Sequence, residues 1–238
     1  MRNRLLVTLS FAALALLCFA SLASAAKPTI GVAEFTNRSG AAWWRGGMGW
    51  EISGAVANEL ASGGKFRVLE RSKLEHVLRE QDLGASGRVQ PGTAAKIGKL
   101  TGAQYLILGT VTSYEESVAG TGGGISIGPF SIGGESEDAY IALDLRVADT
   151  TTGELVHVRT VEASSSGGGL SLGFSSGLFG ADLGGFEKTP AGKAVRACII
   201  EIVEYLECVM VDRDGCEADY QAKERARRQR TKDSISLQ

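Results

Sequence analysis

The sequence predicts an α/β fold, a mixed α/β sandwich domain carrying two inserted amphipathic β-hairpins. Three observations predict it. Apolar residues switch repeatedly between the period of a strand and the period of a helix from Thr29 to Val209. Tyr140 to Val161 reads as two alternating strands around a turn. A glycine-flanked pattern occurs twice, as Gly122-Gly123-Gly124-Ile125-Ser126-Ile127-Gly128 and as Gly167-Gly168-Gly169-Leu170-Ser171-Leu172-Gly173.

The elements follow in order. Met1 to Arg4 is basic, Leu5 to Leu22 is apolar, and Ala23-Ser24-Ala25-Ala26 is small, the pattern of a cleavable secretory signal over residues 1–25. Cys18 lies inside the apolar run after Leu16-Leu17, so it is not placed for lipidation. Thr29 to Phe35 reads as a first strand closed by Asn37-Arg38-Ser39-Gly40, and an aromatic loop with Trp43 and Trp44 follows. Ile52, Val56 and Leu60 draw one helical face, and Phe66 to Leu69 a second strand. Ser72 and Glu75 have capping-box spacing before a helix expected to turn Leu74, Val77 and Leu78 inward. A further short helix is expected over Thr93 to Leu100, then a buried central strand from Gln104 to Thr112. The hairpin of Tyr140 to Ala148 and Glu154 to Val161 turns through Asp149-Thr150-Thr151-Thr152-Gly153. Thr189 and Pro190 are the N-cap and first residue of a long helix burying Val195, Ile199, Ile202, Leu206 and Val209, broken by Asp214-Gly215. Residues 26–212 thus form one domain, and 213–238 a polar tail with clustered arginines, read as a solvated helix or disordered segment, with contact to a partner or a membrane surface as the alternative.

A formal charge of −2 gives no nucleic-acid signature. Cys198 and Cys208 are ten residues apart on one helix, about 15 Å along its axis, too far to bond. Cys208 with Cys216 across a turn, or three reduced thiols, both fit the spacing.

The glycine segments carry the functional signal. A turn at Gly128-Pro129 pairs Ile127 with Phe130 and Ile125 with Ile132 on one face, leaving Ser126 and Ser131 on the other. In the second copy Phe174 pairs with Phe179, Leu172 with Ala181 and Leu170 with Leu183. One apolar face and one small polar face suit a strand between lipid and a water-filled lumen. Four strands cannot close a barrel, so such a pore has to be shared among copies. The alternative is two glycine-rich loops or hairpins packed on another protein. Ser126 and Ser171 both sit in Gly-x-Ser-x-Gly, but the strand-to-helix elbow of a hydrolase is missing, and His76 and His157 are the only histidines. No catalytic residue, metal site or cofactor is expected.

Phe66-Arg67-Val68-Leu69-Glu70-Arg71-Ser72-Lys73-Leu74, Thr101 to Val111 and Leu145-Arg146-Val147-Ala148-Asp149-Thr150-Thr151-Thr152-Gly153-Glu154-Leu155 together resemble the CsgG family, the curli secretion channel. The resemblance covers about residues 28–210. It implies a periplasmic α/β domain whose hairpins, about 115–139 and 162–188, join those of other subunits in one outer-membrane β-barrel. It also implies passive export of unfolded, amyloid-forming subunits, with no enzymatic activity. The implied partners are further copies of the chain in a ring, the exported subunits and outer-membrane lipid, with no nucleic acid. Ile125, Ile127, Phe130, Ile132, Leu170, Leu172, Phe174, Phe179 and Leu183 would face the membrane. Trp43 and Trp44 match the family's constriction loop, and packing under a loop is their other reading. A soluble periplasmic assembly or scaffold protein that does not insert is the alternative function.

Overall fold

The computed structural model describes residues 26–120, 125–127, 130–132, 135–165 and 189–234. The signal segment and the second glycine segment, with Leu170, Leu172, Phe174, Phe179 and Leu183, lie outside the described residues. In chain order the elements are β1 (Thr29–Val32), β2 (Thr36–Asn37), α1 (Met48–Ser62), β3 (Arg67–Leu69), α2 (Leu74–Ala85), β4 (Tyr105–Gly120), β5 (Ile125–Ile127), β6 (Phe130–Ile132), β7 (Glu135–Asp149), β8 (Leu155–Ser165), α3 (Pro190–Glu207) and α4 (Glu217–Ser234). A π-helical turn, Cys208–Asp212, follows α3 directly.

The strands form one mixed sheet in the order β3-β1-β4-β7-β8, with β2 beside β4. β1 and β2 run parallel to β4, as β3 does to β1, whereas β7 and β8 are antiparallel to their neighbours. Helices α1 and α3 cover one face. Their Met48, Ile52, Val56, Leu60, Val195, Ile199, Ile202 and Leu206 share a core with Ile30, Val32, Ile107, Val111, Leu143, Leu145 and Val161. Period-2 and period-4 spacing puts each set on one side of its element, which is why these segments read correctly from sequence.

Two glycines let the layers close. A Cβ on Gly109 of β4 would overlap the ring of Phe35, and a Cβ on Gly49 would overlap the Phe35 carbonyl. Phe35, 1% exposed, is thereby wedged between the central strand and the start of α1. The β7–β8 turn is held by Asp149 Oδ1, which accepts from the Thr151 and Thr152 amides at 2.7 and 3.1 Å, with Gly153 at φ 76°. Thr189 caps α3 by accepting from the Gly192 amide at 3.0 Å, with Pro190 in the first position.

Three expectations change. No helix forms over Thr93 to Leu100, where the chain is irregular and Gly98 takes φ 76°; so short a segment needs a packing partner, and among the described residues Ile97 and Leu100 stay exposed. Ser72 does not cap α2: Glu70 accepts from the Ser72 hydroxyl and the Lys73 amide, both at 2.8 Å. Val77 and Leu78 are exposed, not inward. The tail from Glu217 is helical and mostly exposed, and touches the body through Tyr220, Arg227 and Arg230. Cys208 and Cys216 form a disulfide, Cα atoms 6.0 Å apart, and Cys198 is a free, buried thiol.

Candidate functional site

The site lies where β4 leaves the body. From Tyr105 to Val111 the odd residues Ile107, Gly109 and Val111 face the helices, so strict alternation would send Tyr114 to the opposite face. A bulge intervenes. Val111 pairs with Leu143 but Ser113 pairs with Ala142, which leaves Thr112 as the extra residue, its hydroxyl donating to the Ala142 carbonyl at 3.3 Å. The parity of β4 flips there, and Tyr114, now opposite Ile141, joins the helix-covered face.

Trp43 meets it. Their ring centroids are 5.6 Å apart at 78°, an edge-on contact, and Trp44 lies 5.6 Å from Trp43 at 53°. The loop that presents the tryptophans is set by Asn37, whose Oδ1 accepts from the Ser39 amide and hydroxyl, and by the turn from the Trp44 amide to the Ala41 carbonyl at 3.1 Å. Gly47, at φ 86°, then turns the chain into α1. Both tryptophans are half-buried and packed against the core. The Tyr114 hydroxyl donates to Glu116 at 2.7 Å. The sequence singles out Trp43 and Trp44 but not Tyr114 or Glu116, because a bulge has no sequence signature here.

Past Tyr114 the β4–β7 pair continues unbroken from Glu115↔Tyr140 to Gly120↔Glu135. These positions are acidic: Glu115 and Glu116 on β4, Glu135, Glu137 and Asp138 on β7. Beyond them β5 pairs with β6 as Ile125↔Ile132, Ser126↔Ser131 and Ile127↔Phe130, the pairs the alternation specifies.

A second cluster holds α4. Arg159 of β8 lies 5.1 Å from the Tyr205 ring and 4.6 Å from the Tyr220 ring. It pairs with Glu201 at 2.8 Å and donates to the Tyr220 carbonyl at 3.3 Å. Arg227 and Arg230 reach Glu162 of β8 and fasten the helix to the sheet, whereas Arg227 and Arg228 bind Glu224 within α4 itself. The Arg227 hydrogen bond lowers the Glu224 pKa to about 2. Burial lowers the pKa of His157 and raises that of the Cys198 thiol. Among the described residues no three His, Cys, Asp or Glu side chains converge as a metal site, and no helix is long and apolar enough to cross a membrane.

The family model for the curli production assembly/transport component CsgG matches residues 17–235. The chain belongs to the CsgG family. A search of curated proteins found no match. Among solved structures, this CsgG-family chain is similar to a hypothetical protein of Chlamydia trachomatis, at 17% identity and TM-score 0.44 over 77% of this chain and 97% of that one. It is also similar to a lipoprotein of Neisseria meningitidis, at 17% identity and TM-score 0.36 over 74% and 99% of the two chains. A PelC dodecamer of Paraburkholderia phytofirmans matches at 13% identity and TM-score 0.38 over 75% and 85%.

Proposed function

We propose that this chain is a subunit of a homo-oligomeric outer-membrane channel for curli-like subunits, a passive conduit without catalytic chemistry. The observation that carries the reading is the β4–β7 pair. It runs four register positions past Glu116↔Ala139, where Ala139 is still buried, about 13 Å of strand, and leads into a hairpin of alternating apolar and small residues. A strand pair needs no such length to finish this core. Family membership supports the same reading. In it the acidic stretch from Glu115 to Gly120 and from Glu135 to Tyr140 stays in water below the membrane, and the segments about 125–132 and 170–183 enter lipid. Trp43, Trp44 and Tyr114 stand at the entrance, where aromatic rings would contact an extended chain and exclude a folded one.

The acidic base also favours a second reading, a periplasmic assembly or scaffold protein whose hairpins remain in water. Ile127→Asp with Phe130→Asp separates the two. The register sets these residues directly opposite, so both charges fall on one face. Each lipid-facing charge costs on the order of 2 kcal/mol, with mutual repulsion added. The channel reading expects the double variant to keep the circular dichroism of the α/β domain and to leave the outer-membrane fraction. Unchanged membrane association, or a wild-type protein wholly soluble without detergent, would favour the scaffold.

A further inference from the structure

Strand β8 ends one side of the sheet. It pairs with β7, and among the described residues no strand lies on its other side. An edge strand of 11 residues offers a row of unpaired backbone donors and acceptors to any extended chain, and proteins commonly cover such an edge. The strand register shows what lies over this one. Arg159 pairs with Leu145, a core residue, and Glu162 pairs with Ala142 three steps along a regular ladder. Side chains three apart on a strand point to opposite faces, so Arg159 faces α3 and Glu162 the outer side. Helix α4 reaches both. Its Tyr220 ring lies 4.6 Å from the Arg159 guanidinium, which donates to the Tyr220 carbonyl at 3.3 Å, and its Arg227 and Arg230 meet Glu162 at 3.8 and 3.3 Å. A helix bonded to both faces of an edge strand has to pass across that edge.

Helix α4 is held at points rather than packed along its length. Tyr220 is its one large apolar side chain, and a cleft of about 360 Å³, lined by His157, Val158, Tyr205, Tyr220 and Glu224, separates it from the strand. Most helical stability in proteins comes from packing an apolar face, which α4 lacks. Its place therefore depends on the contacts to Arg159 and Glu162, on Lys223 against Glu201 of α3 at 3.1 Å, and on its root. The root is Cys216, joined to Cys208 at the end of α3 with their Cα atoms 6.0 Å apart. Cys208 is buried in the core and Cys216 packs against it, so the bond fixes the start of α4 to the body. The other described cysteine, Cys198, is fully buried and about 15 Å along the helix from Cys208, out of reach of exchange with the bond.

We infer that α4 is a redox-fastened strap over the free edge of β8: with the Cys208–Cys216 bond formed it closes the edge, and with the bond reduced it lifts and lets an extended strand pair there. Opening takes two electrons and two protons from an external dithiol, which becomes a disulfide as Cys208 and Cys216 become thiols. Closing is the reverse, with a disulfide as oxidant. The strap works the same way whether or not the hairpins enter lipid.

The test uses the full chain in detergent. Cys208→Ser with Cys216→Ser removes the bond, and dithiothreitol on the folded wild type repeats the measurement without a substitution. In native-state hydrogen exchange the amides of α4 from Tyr220 onward should lose at least about tenfold protection while those of β4 and β7 keep theirs. Hydroxyl-radical labelling of Tyr205 in the double variant should rise, since Tyr220 stacks edge-on against it at 5.2 Å in the closed form. A peptide of the β7 sequence Tyr140–Asp149, the strand that β8 accepts on its other side, should bind the double variant and the reduced wild type but not the oxidised wild type. Equal α4 protection with and without the bond overturns the fastening. Protection lost through β4 and β7 as well shows that the bond holds the core, and overturns the strap. A peptide that binds the oxidised protein too, or binds neither form once α4 is released, overturns the cover.

Discussion

Arg159→Leu should release α4 without unfolding the body. The Arg159 side chain is 9% exposed, fixed between two tyrosine rings and paired with Glu201 at 2.8 Å. Glu201 and Tyr205 lie on α3, so those contacts of Arg159 persist when α4 opens; its hold on α4 is the Tyr220 ring and the Tyr220 carbonyl. The ring contact is worth about 0.5–1 kcal/mol and a hydrogen bond from a charged donor about 1.5–3 kcal/mol. Leucine restores some apolar burial between Tyr205 and Tyr220, and Arg159 Nε is already buried without a hydrogen-bond partner. The net expectation is about 2–3 kcal/mol, at 1.4 kcal/mol per factor of ten in the opening equilibrium. The assay is native-state hydrogen exchange. Amides of α4 from Tyr220 onward should lose roughly 30- to 100-fold protection while those of α3 at Ile199 and Ile202 hold theirs. Unchanged protection in α4 would refute the clamp. Equal loss in α3 and α4 would show that Arg159 supports the whole core instead.

The remaining predictions are brief. Glu224 titrates lower in the folded protein than its ordinary 4.5, so its contribution is complete above that value and is lost as pH falls toward 2. With a quarter of the side chain exposed this is worth about 1 kcal/mol, and Glu224→Gln should flatten the acid loss of α4 protection. Gly109→Ala sets a methyl against the Phe35 ring and should cost about 2–3 kcal/mol in denaturant unfolding, with Phe35→Leu recovering part of it. In planar bilayers, Trp43→Ala with Trp44→Ala should raise single-channel conductance; unchanged conductance would return the pair to loop packing.

What was legible in the sequence follows from where each apolar face finds its partner. The strands β1, β4, β7 and β8 and the helices α1 and α3 bury their periodic residues in one core, so period alone located them. The same period misled at α2, because an amphipathic pattern shows that a face needs cover, not that the same chain supplies it. Leu78 and Ile97 carry the pattern and remain exposed. Ser72 and Glu75 have the right spacing for a capping box, yet Glu70 captures the Ser72 hydroxyl first, a competition that spacing does not record. The tail showed only arginines, and its docking depends on Arg159, Tyr205 and Glu201, which sit far away in sequence.

The candidate site was half legible for a related reason. Trp43 and Trp44 stood out by type, but their partner is chosen by a bulge. Without Thr112 as an extra residue, Tyr114 and Glu116 would point away from α1 and α3, and the edge contact with Trp43 would not exist. The bulge does more than aim one tyrosine. Because β4 and β7 stay paired through Gly120↔Glu135, the parity set at Thr112 fixes which residues share a face all the way to the acidic base. The loop between β2 and α1 and the projecting strand pair therefore meet at the Trp43–Tyr114 ring contact. If the hairpins line a pore, the tryptophans report on strand register there as well as on passage of the chain. Residue type could suggest the tryptophans; only the ladder of strand pairing shows what they hold.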